Sequence, residues 1–150
     1  MHVTPPHLAP CVRAFSQLLS STRRGARLAR LLAVGQLRAW QVPPAAIERA
    51  EQIVAELAAN AALHGRVQDR DFRVSLTLDT ATGALRIAVT DARGEQPPRE
   101  NTKPEPTPDA EDGRGLLLVT ALADRWSTDP YPAGGKTVWA ELRVHEPFPG

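Results

Sequence analysis

Two runs of strict alternation constrain this chain most. Phe72, Val74, Leu76 and Leu78 are interleaved with Arg73, Ser75 and Thr77, and after Asp-Thr-Ala-Thr-Gly (79–83) the same period returns at Leu85, Ile87 and Val89. A period of two belongs to strands, and a five-residue break rich in turn formers between two such runs predicts an antiparallel hairpin with one apolar face. A third run, 136–144, sets Val138, Ala140, Leu142 and Val144 against Thr137, Trp139, Glu141 and Arg143. Weaker alternation over 11–19 adds a fourth strand. A sheet that is apolar on one side only needs a covering layer.

Two helices supply that layer. Ser21 or Thr22 can cap a helix over 23–40, in which Ala26, Leu28, Ala29, Leu32, Ala33, Leu37 and Trp40 share one face. Arg23, Arg24, Arg27, Arg30 and Arg38 gather on the opposite third of the circumference, with Leu31 and Val34 among them and no acidic residue at i+4. Pro43 and Pro44 end this helix and begin the next, where Ile47, Ala50, Val54, Leu57, Ala58 and Ala61 make a core stripe that Gly65 closes. The fold class follows: a two-layer α/β sandwich, its mixed and mostly antiparallel sheet covered on one face by helices.

With 150 residues, 42% of them hydrophobic, the chain fills one core, and a single domain over 11–146 is expected between a loose arm at 1–10 and a tail at 147–150. The longest apolar stretch, 116–123, is far short of a membrane span, and residues 1–8 lack the regions of a signal peptide. A lone Cys11 agrees with a reducing compartment, so the cytoplasm is the expected location. The formal charge of +1 conceals an asymmetry. No acidic residue precedes Glu48, so residues 1–47 carry +6 and the remainder −5. A net negative remainder without a groove-reading motif argues against nucleic acid, and the arginine stripe with its two apolar residues suits an acidic protein surface, with Arg23, Arg27 and Arg30 as contacts.

Glu56, Asn60 and His64 are spaced by four and form one ridge on the flank of the second helix. A carboxylate beside a neutral oxygen ligand suits a Mg²⁺-bound phosphate, although polar residues on a helix flank are commonly structural. Between Gln96 and Asp112 the composition turns to proline, acid and small polar residues, as in a lid. Gly113-Arg114-Gly115 then opens a short helix at Leu116, offering backbone N–H groups to an anion. Gly-Lys-Thr at 135–137 is no P-loop, because Pro130 replaces its first glycine and a strand follows. The four histidines are scattered, without metal-ligand spacing.

Glu-Leu-Ala-Ala-Asn-Ala-Ala-Leu-His-Gly (56–65), Val-Thr-Asp-Ala-Arg-Gly (89–94), Gly-Arg-Gly-Leu-Leu-Leu (113–118) and Gly-Lys-Thr-Val (135–138) together resemble the N-box, the two glycine boxes and the last box of the Bergerat (GHKL) ATPase fold, shared by gyrase and histidine kinases. The short chain is most similar to the anti-sigma-factor serine/threonine kinases. The resemblance implies ATP and Mg²⁺ as cofactors. Asn60 would hold the metal, and Glu56 would orient or deprotonate the attacking hydroxyl. Asp91 would accept from the adenine amino group, with Gly94 beside it. Gly113, Arg114, Gly115 and Leu116 would approach the phosphates under a lid at 96–112, and Thr137 would support Asp91 and the adenine. The implied partners are a sigma factor and an anti-anti-sigma protein of the STAS class, with no membrane; the resembled kinases are usually dimers, which admits a homodimer here. The chain departs from D-x-G-x-G in the first glycine box, where Arg93 and Glu95 stand in the glycine positions. The alternative reading is therefore a non-catalytic module that holds a protein partner with weak or no nucleotide binding.

Overall fold

In the computed structural model, which describes residues 11–64, 71–91, 110–131 and 135–145, the alternating runs pair edge to edge. The elements follow as β1 (Val12–Ser20), α1 (Arg23–Ala39), α2 (Pro44–His64), β2 (Asp71–Asp79), β3 (Ala84–Asp91), α3 (Ala110–Leu122), β4 (Arg125–Tyr131) and β5 (Gly135–Arg143). They form a five-stranded sheet of order β1-β2-β3-β5-β4. Every neighbouring pair is antiparallel, so the sheet is antiparallel throughout. Among the described residues no helix is long and apolar enough to cross a membrane.

The register aligns the apolar positions into rows. Val74, Val89 and Val138 lie opposite one another, as do Leu76, Ile87 and Ala140, and then Leu78, Leu85 and Leu142. Opposed residues share a face, so these rows make one continuous apolar surface. Helix α2 covers its middle, packing on β2, β3 and β5, while α1 lies over β1 and α3 reaches β4. The predicted stripe of α2, Ile47 to Ala61, is buried in full. Among the described residues no helix covers the other face of the sheet. Trp139 lies there with the Arg86 guanidinium 3.9 Å from its ring centroid, and Glu141 accepts from Arg125 at 2.8 Å. Burial pushes the Glu141 carboxyl up, but the hydrogen bond and charge of Arg125, joined by Arg86, outweigh it and hold the carboxyl below its ordinary value.

Strand β4 has no counterpart in the sequence reading. Its residues, Arg-Trp-Ser-Thr-Asp-Pro-Tyr, show weak alternation, and Pro130 cannot donate to a ladder, which suits an edge position. Helix α3 starts at Ala110, earlier than expected, so residues 113–115 lie inside the helix and do not precede it. Most of the expected lid, the arm at 1–10 and the tail at 147–150 lie outside the described residues.

Two local devices set the entry and exit of α1. Thr22 is the N-cap, its side chain accepting from the Gly25 N–H at 2.9 Å. A Cβ on buried Gly25 would fall on the carbonyl oxygen of Ser20, so only glycine lets the helix leave the end of β1 this closely. At the other end Val42 N–H bonds to the Leu37 carbonyl and Gln41 N–H to the Arg38 carbonyl, a Schellman closure in which Gln41 takes φ 60° where glycine is usual.

Gly25→Ala is expected to destabilise the fold by about 2 kcal/mol through this backbone collision, read from the urea midpoint. Gln41→Gly is expected to raise stability by up to about 1 kcal/mol, since the left-handed penalty it removes exceeds the chain entropy it adds. The lowered Glu141 pKa stabilises the fold above the unfolded-state value and ceases to as pH falls through the folded one. The stability gap between wild type and Glu141→Gln should therefore shrink between pH 7 and about pH 3 in urea titrations.

Candidate functional site

The parity of β3 decides the orientation of Asp91. Leu85, Ile87 and Val89 face the helices, so Asp91, two residues further, does too. It is 3% exposed and the sole charged side chain in the buried set among the described residues. A carboxylate is retained in such a place only where something specific compensates it, which makes this the first position to consider for ligand recognition. Its neighbours across the ladder are Phe72 and Lys136. Lys136 is thus on the helix side of the sheet beside Asp91, and its main chain belongs to the Gly-Lys-Thr-Val segment.

Glu56 and Asn60 lie on α2 at intermediate burial, between the core stripe and solvent. Their level along the sheet can be worked out from one pin. Arg49 on α2 donates to the Leu122 carbonyl at 2.8 Å, at the end of α3. The Asp124 N–H, two residues on, bonds to the Glu141 carbonyl, and Glu141 is opposite Arg86 on β3. From Arg49 to Asn60 the helix rises about 16 Å, and from Arg86 to Asp91 the strand advances about 17 Å. The seven steps from His64 to Asp71, next to the Phe72 that pairs with Asp91, span at most about 25 Å, so α2 runs in the direction of β3, and Asn60 and Asp91 arrive at the same end of the sandwich, with Glu56 one turn earlier. Helix α3 packs along α2 and is held at its C-terminal end by Arg49 and by Trp126, whose indole donates to Thr120 at 2.7 Å. Leu116 lies on this helix, half-buried.

Thr137 does not join this group. Its hydroxyl is 2.9 Å from that of Thr90 on the uncovered face of the sheet, opposite to the side that Asp91 faces. Gly94, with Arg93 and Glu95, lies outside the described residues, and so do the side chains of His64, Arg114 and their immediate neighbours. No cluster of three or more His, Cys, Asp or Glu able to hold a metal occurs among the described residues. Asn60 is an uncharged oxygen donor of the kind Mg²⁺ accepts, a metal that binds through one or two protein oxygens and otherwise through water and phosphate.

On α1, Arg23 and Arg27 are exposed, but Arg30 is committed elsewhere: its Nε is 3.5 Å from the Glu51 carboxylate of α2. The acid missing at i+4 is supplied by the neighbouring helix. Arg38 likewise borders a groove of about 440 Å³ between the two helices, whose other bank carries Glu48 and Glu51. This groove is separate from the Asn60 end and mixes both charges, so it is not an anion site.

The sequence matches the histidine kinase-like ATPase domain over residues 19–142. No match is found among curated proteins. A solved structure of the RsbU and RsbW domains of Rv1364c from Mycobacterium tuberculosis is similar at 21% identity and a TM-score of 0.65, over 92% of this chain and 35% of that one. At that identity the likeness is one of fold, and the chain spans about a third of the length of this neighbour. The sequence match, by contrast, runs from the end of β1 to the end of β5 and takes in Glu56, Asn60, Asp91 and the start of α3, and on that extent the chain belongs to the histidine kinase-like ATPase domain family.

Proposed function

We propose that the chain is an anti-sigma-factor-like serine/threonine kinase that binds Mg-ATP, phosphorylates a STAS-domain anti-anti-sigma protein and thereby regulates a sigma factor. What supports this reading is a buried carboxylate, Asp91, at the end of β3, with Glu56 and Asn60 on the helix that covers the sheet, in a chain of this family. The RsbW domain of the fold neighbour supports the choice of partner class.

In this reading Asp91 accepts from the exocyclic amine of adenine, and its dry surroundings make a base lacking that donor costly to bind. Asn60 presents its amide oxygen to the metal, and the metal when bound neutralises charge on the triphosphate. Glu56, one turn before Asn60, holds or accepts the proton of the attacking serine or threonine hydroxyl. The N-terminal part of α3 directs backbone N–H groups and a positive dipole end at the phosphates. Positioning and electrostatics of this kind suffice for phosphoryl transfer, which asks little covalent chemistry of the protein. Arg23 and Arg27 offer the cationic surface to an acidic partner. Arg30 contributes less, because Glu51 already offsets it.

A second reading, a partner-binding module with weak or no nucleotide affinity, is favoured by Arg93 and Glu95 in place of two glycines and by Thr137 facing away from Asp91. Titration calorimetry separates the two. Wild type is expected to bind ATP only with Mg²⁺ at full strength, and Asp91→Asn to lose about 10- to 100-fold in affinity. Glu56→Gln should keep nucleotide affinity while phosphate transfer to a cognate STAS-domain protein drops by about 100-fold or more. Absence of any binding heat at millimolar ATP would establish the module reading. Arg23→Glu with Arg27→Glu should slow partner association and leave ATP affinity within about twofold, since surface charges act chiefly on encounter.

A further inference from the structure

The charges that line the groove between α1 and α2 face each other without meeting. Arg38 stands on the α1 bank and Glu48 on the α2 bank, both exposed, and among the described residues neither forms an ion pair. Glu51, the second acid of the α2 bank, is drawn toward Arg30, whose Nε lies 3.5 Å away. An exposed pair gains little by closing over an open groove, so the Arg38 and Glu48 heads remain available to a third party.

The floor between these banks is apolar. Val42 and Ile47 are 5% and 9% exposed, and Val34 and Pro44 complete the lining, so only the three charged side chains in it can hydrogen-bond. The groove is also short. It runs from Val34 to Arg38 on α1 and from Pro44 to Glu51 on α2, which at the helical rise is about 6 Å on one bank and 10 Å on the other. The Arg30–Glu51 contact bridges the helices one turn from Val34, and the connection that carries Val42 ends the groove on the other side. A partner helix docks through anchors at i, i+3, i+4 and i+7 along a groove open at both ends. This one is crossed at one end and turned at the other, and its 440 Å³ is in the range of small-molecule pockets.

We propose that this groove binds a free α-amino acid with an aliphatic side chain. The class follows from what the lining asks of one occupant: an anion for Arg38, a cation for Glu48 and an apolar body for the floor. An α-amino acid carries carboxylate and ammonium on a single carbon, so one small molecule reaches both banks. The Arg38 guanidinium donates two parallel hydrogen bonds to the carboxylate, the ammonium donates to Glu48, and the branched side chain covers Val34, Val42 and Ile47. A plain anion would meet Glu48 and Glu51, and a plain cation would meet Arg38. Glu56, Asn60 and Asp91 take no part, so this site stands or falls independently of nucleotide binding. The bound molecule ties the C-terminal half of α1 to the first turns of α2, the helix that carries Glu56 and Asn60 further along.

Heteronuclear NMR titration of the full chain with L-leucine tests this. Wild type is expected to show saturating shifts at Val34, Val42 and Ile47 with a Kd of about 1 mM. Leucinamide, which lacks the carboxylate, and 4-methylpentanoate, which lacks the amine, should each bind about 5- to 10-fold more weakly, the worth of one charge-assisted contact. Arg38→Gln should lower leucine affinity by the same factor without weakening leucinamide, and Glu48→Gln should lower it without weakening 4-methylpentanoate. Both residues are exposed, so the variants should keep the wild-type melting temperature. Absence of shifts in the groove at about 20 mM leucine overturns the proposal. So does binding that leucinamide or 4-methylpentanoate reproduces at full strength, or that survives Arg38→Gln and Glu48→Gln undiminished.

Discussion

The rows Val74–Val89–Val138, Leu76–Ile87–Ala140 and Leu78–Leu85–Leu142 are the constraint from which the rest of the molecule follows. Strand pairing satisfies the backbone, but it leaves an apolar surface three strands wide that water cannot solvate cheaply. One long helix laid across the middle covers most of it, which is why α2 buries Ile53, Val54, Leu57 and Ala58 in succession. Where β3 runs on past Val89, the same parity that put valine and isoleucine under α2 puts a carboxylate there. Asp91 is thus not placed by a special loop or a local turn. Its burial is a by-product of alternation, in a place from which the sheet has already excluded water.

How far this could be read in advance depended on period. Four of the five strands, β1 by a weaker signal than the others, and both long helices were legible because their apolar residues recur at 2.0 or 3.6. β4 was not: Trp126 is its single large apolar residue facing the core, and it is held by pairing to β5 and by the Thr120 bond, neither of which leaves a mark in a seven-residue sequence. Thr137 shows the opposite failure. Its neighbour Val138 faces the core, so parity alone assigns Thr137 to the uncovered face, and the role suggested by family resemblance ran against a pattern already visible in the strand. On α1 the apolar face was read correctly as a face, but its extent was not. A stripe on a helical wheel does not say how much of itself a neighbour will cover, and Leu28 and Leu32 are the excess.

Charge behaves similarly. Five arginines without a nearby acid in sequence look like an unbroken cationic stripe, yet Glu51 reaches Arg30 from α2, and Glu48 with Glu51 faces Arg38 across the interhelical groove. Surface pairs of this kind add little stability, but they reduce the field that a partner meets. The cationic character of α1 is consequently strongest in its first turns, at Arg23, Arg24 and Arg27, and is offset toward its C-terminal half.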